Sequence, residues 1–286
     1  MVQPHETEEY EEAMRRRIFS LTKRNKPISC VTVWSDICGY GQVLDKLKWN
    51  LDDIQQDNYI ILLHKFIELN IHSAIPIPGL LCEKFLILND GLARTCDISE
   101  NLKIVDLSLP FVIYIRNLFF AYYNSKKLCE EYGLGLRTIF AGGERMQYFS
   151  ELITGNSFLV YDKGCQRKEA QEFLKTNILY NPSEFQINTA FSKSYLIDRI
   201  GSKEGFLPNC CYVERSFWEK CNHLFNLSVE VENNCIRLFH HKKEVIRLDI
   251  QKVHCLDVLG LTVIVDQISG IKLSLPTDNE EIYTRF

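Results

Sequence analysis

The stretch ISCVTVWSDICGYG, residues 28–41, decides the reading of the fold. Its first eight residues are a short apolar, β-branched run, the pattern of a buried strand. Asp36 stands at the C-terminal end of that strand, directly before the turn Ile37-Cys38-Gly39-Tyr40-Gly41. Helical periodicity follows to about residue 69. Further on, residues 81–88 read as a second strand, Asn89-Asp90-Gly91 as a turn, and 92–98 as the strand returning from it. A long apolar helix is expected over about 110–132, stopped by Gly133 in a C-cap position. Residues 134–141 read as another strand, ending at Gly142-Gly143.

Working outward, residues 7–24 are rich in good helix formers, and Pro27 ends that helix. Residues 183–200 form a clearer helical pattern. Ser183 sits in a capping position, Phe185, Ile187, Ala190, Phe191, Leu196 and Ile197 supply the apolar face, and Gly201 ends it. After Pro208 the character changes to short alternating runs: LSVEVE, CIRLFHH, EVIRLDI, LTVIVDQI and IKLSL. Asn233-Asn234, Lys242-Lys243, Gly260 and Ser269-Gly270 punctuate them. We therefore expect three regions: an N-terminal helix over 1–27, an α/β (α+β) domain over 28–210, and an antiparallel β-rich appendage over 211–286. The order of elements in the middle region suggests a ferredoxin-like β-α-β-β-α-β core, with helices on one face of a mixed sheet.

Composition narrows the function classes. The chain has 286 residues, with 33 Lys plus Arg against 37 Asp plus Glu, a formal charge of −4. That excludes a broadly basic surface that coats nucleic acid. The 11 cysteines form no C-x-x-C pair, which leaves a structural zinc site without support. The acidic opening MVQPHETEEYEE lacks an apolar stretch, so a reduced, cytoplasmic setting is expected, with the thiols as small core residues. The longest apolar run, 109–123, is broken by Pro110 and Arg116 and is shorter than the roughly 20 residues a bilayer demands, so no membrane partner is expected.

Two acidic residues stand in special places. In a β-α-β-β sheet the first strand and the hairpin pair side by side, which would bring Asp36 and Asp90 to one edge. Paired carboxylates there can hold Mg²⁺ or Mn²⁺, ions that prefer oxygen ligands and hold substrate phosphates. Taken singly, Asp36 reads as a helix cap and Asp90 as a turn residue, and it is the pair in this topological order that favours metal binding.

Asp36-Ile37-Cys38-Gly39-Tyr40-Gly41 resembles the D-I-x-G-F/Y-S/T opening of class III nucleotide cyclases, and Asn89-Asp90-Gly91-Leu92-Ala93 resembles their G-D-x-x-x-A hairpin. The resemblance implies two divalent ions, Mn²⁺ or Mg²⁺, held by Asp36, the carbonyl of Ile37, and Asp90. Asn89 replaces the family's glycine, a substitution the turn tolerates because Asn visits left-handed conformations. Asn188 matches the Asn of the family's N-x-x-x-R helix. The Arg position is Ser192, with Lys193 beside it, and the position of the adenine-reading Lys is Leu86. The run Leu136–Arg145, the NTAFSK stretch at 188–193 and Gly201-Ser202-Lys203 resemble the pyrimidine cyclases of bacterial Pycsar anti-phage systems. This implies conversion of UTP to 3′,5′-cyclic UMP and diphosphate, with a homodimer sharing its active sites. Cytidylate cyclase, a purine (adenylate or guanylate) cyclase and a non-catalytic nucleotide-sensing module are the alternatives.

In such a reaction the phosphate charge must be neutralised. Arg137, Arg145, Lys193 and Lys203 are the candidate cations, each of which would otherwise be solvated surface. Arg137 stands out because it lies in an apolar strand pattern, where a charge demands a partner. Tyr40 and Trp34 flank Asp36 and are candidates to pack on the base, with core packing favoured for Trp34. Gly142 and Gly143 suit either a plain turn or a close approach to phosphates. His240-His241 reads as an exposed strand end.

Overall fold

The computed structural model describes residues 26–56, 58–73, 83–98, 108–146, 183–222, 224, 227–274 and 282–286. The helix expected at 7–24 lies outside them. Ser29–Gly143 with Thr189–Phe286 forms one compact unit, and Met1–Ile28 with Glu144–Asn188 a second. Of the second, the described part includes a 3₁₀ turn, Ser183–Phe185.

The apolar run at 28–35 becomes β1 (Ile28–Cys38), which extends past Asp36. Three short helices follow: α1 (Tyr40–Lys46), α2 (Leu51–Gln56) and α3 (Tyr59–His72). Then come β2 (Glu83–Leu88), β3 (Gly91–Asp97), α4 (Ser108–Glu131) and β4 (Gly135–Arg145). Gly133 takes a φ of 69° behind α4, the left-handed end expected for it. The next helix, α5 (Thr189–Ile200), ends at Gly201, where φ is 67°. It begins later than expected, so Asn188 precedes the helix instead of lying within it.

The sheet order is β2-β3-β1-β4-β5-β9-β8-β7-β6, with β10 (Ile282–Arg285) on β9. Its first four strands reproduce the ferredoxin-like order, and the α/β class expected from the sequence is the observed one. β5 (Cys210–Glu214) pairs parallel with β4 and antiparallel with β9. It is followed by α6 (Ser216–Cys221), β6 (Leu227–Val231) and β7 (Cys235–His240). The sheet thus crosses residue 210 without a break. β8 (Lys243–Val258) and β9 (Leu261–Leu273) form one long hairpin. Ser269-Gly270 was expected to break that strand, yet it lies inside β9. A Cβ there would stand 2.7 Å from the Tyr283 hydroxyl of β10, so a larger residue would displace that ring.

The expectation of helices on one face is corrected. β1 is buried on both faces from Cys30 to Ser35, the signature of a strand covered twice. Val31, Val33 and Ile37 join a core with Leu62 and Phe66 of α3 and Phe111, Ile115, Phe119 and Tyr122 of α4. Alternation turns Trp34 the other way, where its ring meets Phe191 and Tyr195 of α5 at 6.0 and 5.4 Å. On β4, Leu136 and Phe140 face the first core, while Ile139 packs with Ile197 of α5 and Tyr212 of β5.

Gly142 and Gly143 are also corrected. They form neither a turn nor a phosphate loop but continue β4, and each admits protein backbone. A Cβ on Gly142 would lie 2.1 Å from the Ser216 carbonyl at the start of α6, and one on Gly143 would lie 2.6 Å from the Ala190 amide of α5. Gly142→Ala is therefore expected to lower stability by about 1–3 kcal/mol. A urea titration checks this: the midpoint falls while the slope is unchanged.

Candidate active site

The register of β1 against β3 sets the geometry. Asp36 lies opposite Gly91, so the hairpin turn just before Gly91 delivers Asp90 beside Asp36. The Ile37 amide donates to the Asp90 carbonyl at 3.2 Å and locks the two strand ends together. Asn89 takes a φ of 53°, the left-handed geometry anticipated for it. Gly91 has no room for a side chain, because a Cβ would sit 2.3 Å from Cη2 of Trp34.

Asp36 and Asp90 line a cavity of about 290 Å³ together with Trp34, Asn89 and, from α5, Tyr195, Asp198 and Arg199. Burial first, then the carboxylates of Asp198 and Asp90, push the Asp36 carboxyl up to about 7, against a smaller lowering by Arg137. Burial, then Asp198, likewise raises Asp90, against a lowering by its own backbone amide. The cavity therefore concentrates carboxylate charge that water does not fully stabilise. Hard oxygen donors in that condition fit a divalent cation. Asp198 is engaged within the protein at both side-chain oxygens. Its Oδ1 accepts from Arg137 Nε at 2.5 Å and its Oδ2 from Trp34 Nε1 at 3.0 Å. Among the described residues, no group of three or more His, Cys, Asp or Glu side chains is arranged to hold an ion. The Ile37 side chain is buried, which leaves only its backbone to face a ligand.

The expected cations lie elsewhere. Arg137 is nine-tenths buried and fully engaged. Beyond the Asp198 carboxylate, it donates to the Phe206 carbonyl at 2.8 Å and the Asp198 carbonyl at 3.0 Å. Burial works against its charge, and Asp198 with smaller contributions from Cys38 and Asp36 together raise its pKa. The partner demanded by the sequence is thus a protein carboxylate. Lys193 pairs with Glu214 at 2.7 Å and donates to Ser216 Oγ. It fastens α5 to the end of β5 and does not line the cavity. Lys203 is exposed in the 3₁₀ turn after α5. Arg145 and Asn188 belong to the second unit, where both are buried and the Asn188 amide donates to the Glu184 carbonyl at 3.0 Å. Tyr40 opens α1 inside the main core, edge-on to Tyr59 at 6.4 Å, and does not line the cavity. Trp34 is both core and lining. Burial pushes the Cys38 thiol up to about 11.

Sequence reasoning missed Tyr195, Asp198 and Arg199. Their signal was the i, i+3, i+4 spacing on one helix face, combined with a charged pair inside an otherwise apolar C-terminal turn.

No protein-family model matches the chain, and no curated protein matches its sequence. Among solved structures, the chain is similar to the crystal structure of the adenylyl cyclase CyaB from P. aeruginosa. The TM-score is 0.45 at 10% identity, over 89% of this chain and 98% of that one. Among the described residues, no helix is long and apolar enough to cross a membrane.

Two outcomes follow from the site's electrostatics. Asp36 is harder to ionise in the fold than in the unfolded chain, so metal-free protein loses stability as pH rises from the ordinary carboxylate range to about 7. Asp36→Asn removes that loss, and its melting temperature in EDTA should exceed the parent's at about pH 8 but not at about pH 4. Asp198→Ala strands the Arg137 charge and should cost about 3–5 kcal/mol in denaturant unfolding, whereas replacing both partners by apolar residues recovers much of it.

Proposed function

We propose that the protein is a metal-dependent nucleotide cyclase. The observation that carries this reading is the convergence of Asp36 and Asp90. They stand on adjacent strand ends of a ferredoxin-like sheet and share one cavity with aromatic side chains. The sequence resemblance to class III cyclases at both aspartates supports it. In this reading Asp36, Asp90 and the Ile37 carbonyl hold two Mn²⁺ or Mg²⁺ ions, with water and the substrate phosphates completing their coordination. When bound, the ions neutralise the phosphates and lower the pKa of the attacking hydroxyl.

The substrate of this reading is UTP and the products are 3′,5′-cyclic UMP and diphosphate. The 3′-oxygen of the ribose attacks the α-phosphorus, the bond to the bridging oxygen breaks, and diphosphate departs with that electron pair. The pyrimidine preference is supported by the resemblance of the 136–145 run and the 188–193 stretch to Pycsar enzymes, and by Leu86 where purine cyclases carry an adenine-reading lysine. On the same ground we propose that the product is a second messenger of anti-phage defence and that the enzyme works as a homodimer in the cytoplasm. The protein's own task at the cavity is to orient. The β1–β3 register holds the carboxylates, while Trp34 and Tyr195 supply an aromatic lining.

Purified protein incubated with Mn²⁺ and each of the four nucleoside triphosphates in turn is expected to release diphosphate and a cyclic monophosphate from UTP. Asp36→Ala and Asp90→Ala should each lower that rate about a hundredfold or more. Product from CTP or a purine instead would relocate the base preference. Nucleotide binding without turnover would sink the enzymatic reading.

A further inference from the structure

We propose that Arg199 binds the phosphates of the nucleotide at the Asp36–Asp90 cavity of its own chain, an inference that rests on the nucleotide-cyclase reading above. The phosphate charge of a nucleoside triphosphate needs a cation besides the metals. Of the four candidate cations, Arg137 is committed to the fold through three contacts and Lys193 through two, while Lys203 is exposed in the 3₁₀ turn after α5 and Arg145 lies in the second unit. Among the described residues, Arg199 is the one cationic residue that lines the cavity, and no ion pair or hydrogen bond with them engages its guanidinium.

Its placement is set by its neighbours. Asp198, the preceding residue, is fixed from both oxygens by Arg137 of β4 and Trp34 of β1. That anchors the last turn of α5 on the sheet and gives each Asp198 side-chain oxygen a partner other than Arg199. Tyr195 lies one turn earlier on the same helix face and also lines the cavity. The cavity thus presents two carboxylates from the strand ends and, facing them from α5, an unengaged guanidinium and an aromatic ring. A guanidinium offers a planar fork of donors that matches phosphate oxygens, where an ammonium offers a point charge. All of these groups come from one chain and one compact unit. Arg199 therefore needs no partner subunit to reach the nucleotide, whatever a dimer adds.

Titration calorimetry tests this without turnover. The probes are the four 3′-deoxynucleoside triphosphates, which lack the attacking hydroxyl, and the matching monophosphates, all with Mn²⁺. The parent protein is expected to prefer a triphosphate. Arg199→Gln should weaken triphosphate binding about tenfold to a hundredfold, with monophosphate binding within about twofold. Arg199→Lys should fall between. If Arg199→Gln binds the triphosphate as the parent does, the assignment of Arg199 fails while the cyclase reading stands. If the parent binds no triphosphate, the cyclase reading fails and this proposal with it. Mixing Asp36→Ala with Arg199→Gln protein tests the own-chain placement. A site built within one chain regains no cyclase activity on mixing, and a regain above either variant alone would overturn it.

Discussion

A positive charge placed inside a doubly covered sheet is the constraint on which the rest of the site depends. Arg137 sits on β4 among residues that pack on both faces, and a buried guanidinium is tolerable only if its donors are met. Asp198 meets it from α5 through side chain and backbone alike. Removing either partner leaves a buried charge, so the pair fixes where α5 lies across β1 and β4. The second carboxylate oxygen then takes the Trp34 indole, and the ring's tight approach to Gly91 brings the hairpin into the same assembly. One ion pair thereby links the fourth strand to the first strand, the hairpin and the helix, the three elements that line the cavity.

The second constraint is register. Strand pairing has a period of two, so a slip of one residue between β1 and β3 would exchange the faces of every side chain. The burial of Val31 and Val33 on one face and Trp34 on the other forbids that slip. With register fixed, Asp36 and Asp90 have no freedom to separate. Their mutual repulsion and their burial both oppose ionisation. The fold therefore keeps two carboxylates together at a cost in stability, with no structural return visible in the metal-free protein. Carboxylates held in this way are what the metal-binding reading proposed above would need.

What could be read in the sequence was what is local. The apolar run at 28–35, the Asn89-Asp90-Gly91 turn and the stop at Gly133 each rest on a few adjacent residues, and each stands where expected. The pairing of Asp36 with Asp90 also followed, because strand order in a β-α-β-β unit is nearly forced. The partner of Arg137 could not be found this way, since Asp198 is 61 residues distant and carries no motif. Gly142, Gly143 and Gly270 misled for the same reason. Glycine marks either a turn or a close approach, and only the neighbouring element decides which. The helix over 183–200 was placed too early because its apolar spacing continues upstream of Thr189, where the backbone is a 3₁₀ turn.

The reassignment of the cations has a general physical basis. Arg137 drew attention because a charge in an apolar strand is expensive, and that expense is the reason the fold satisfied it internally. A residue whose burial demands a partner is held by that partner, and its donors are not free for a ligand that comes and goes. A cation meant for an incoming phosphate must instead remain hydrated until the ligand arrives, so it belongs at an exposed position beside the carboxylates. Arg199 meets that condition and Arg137 does not. The two are coupled through Asp198, which is held by one and adjacent in sequence to the other. The buried charge sets the position, and the exposed charge is left to act from it.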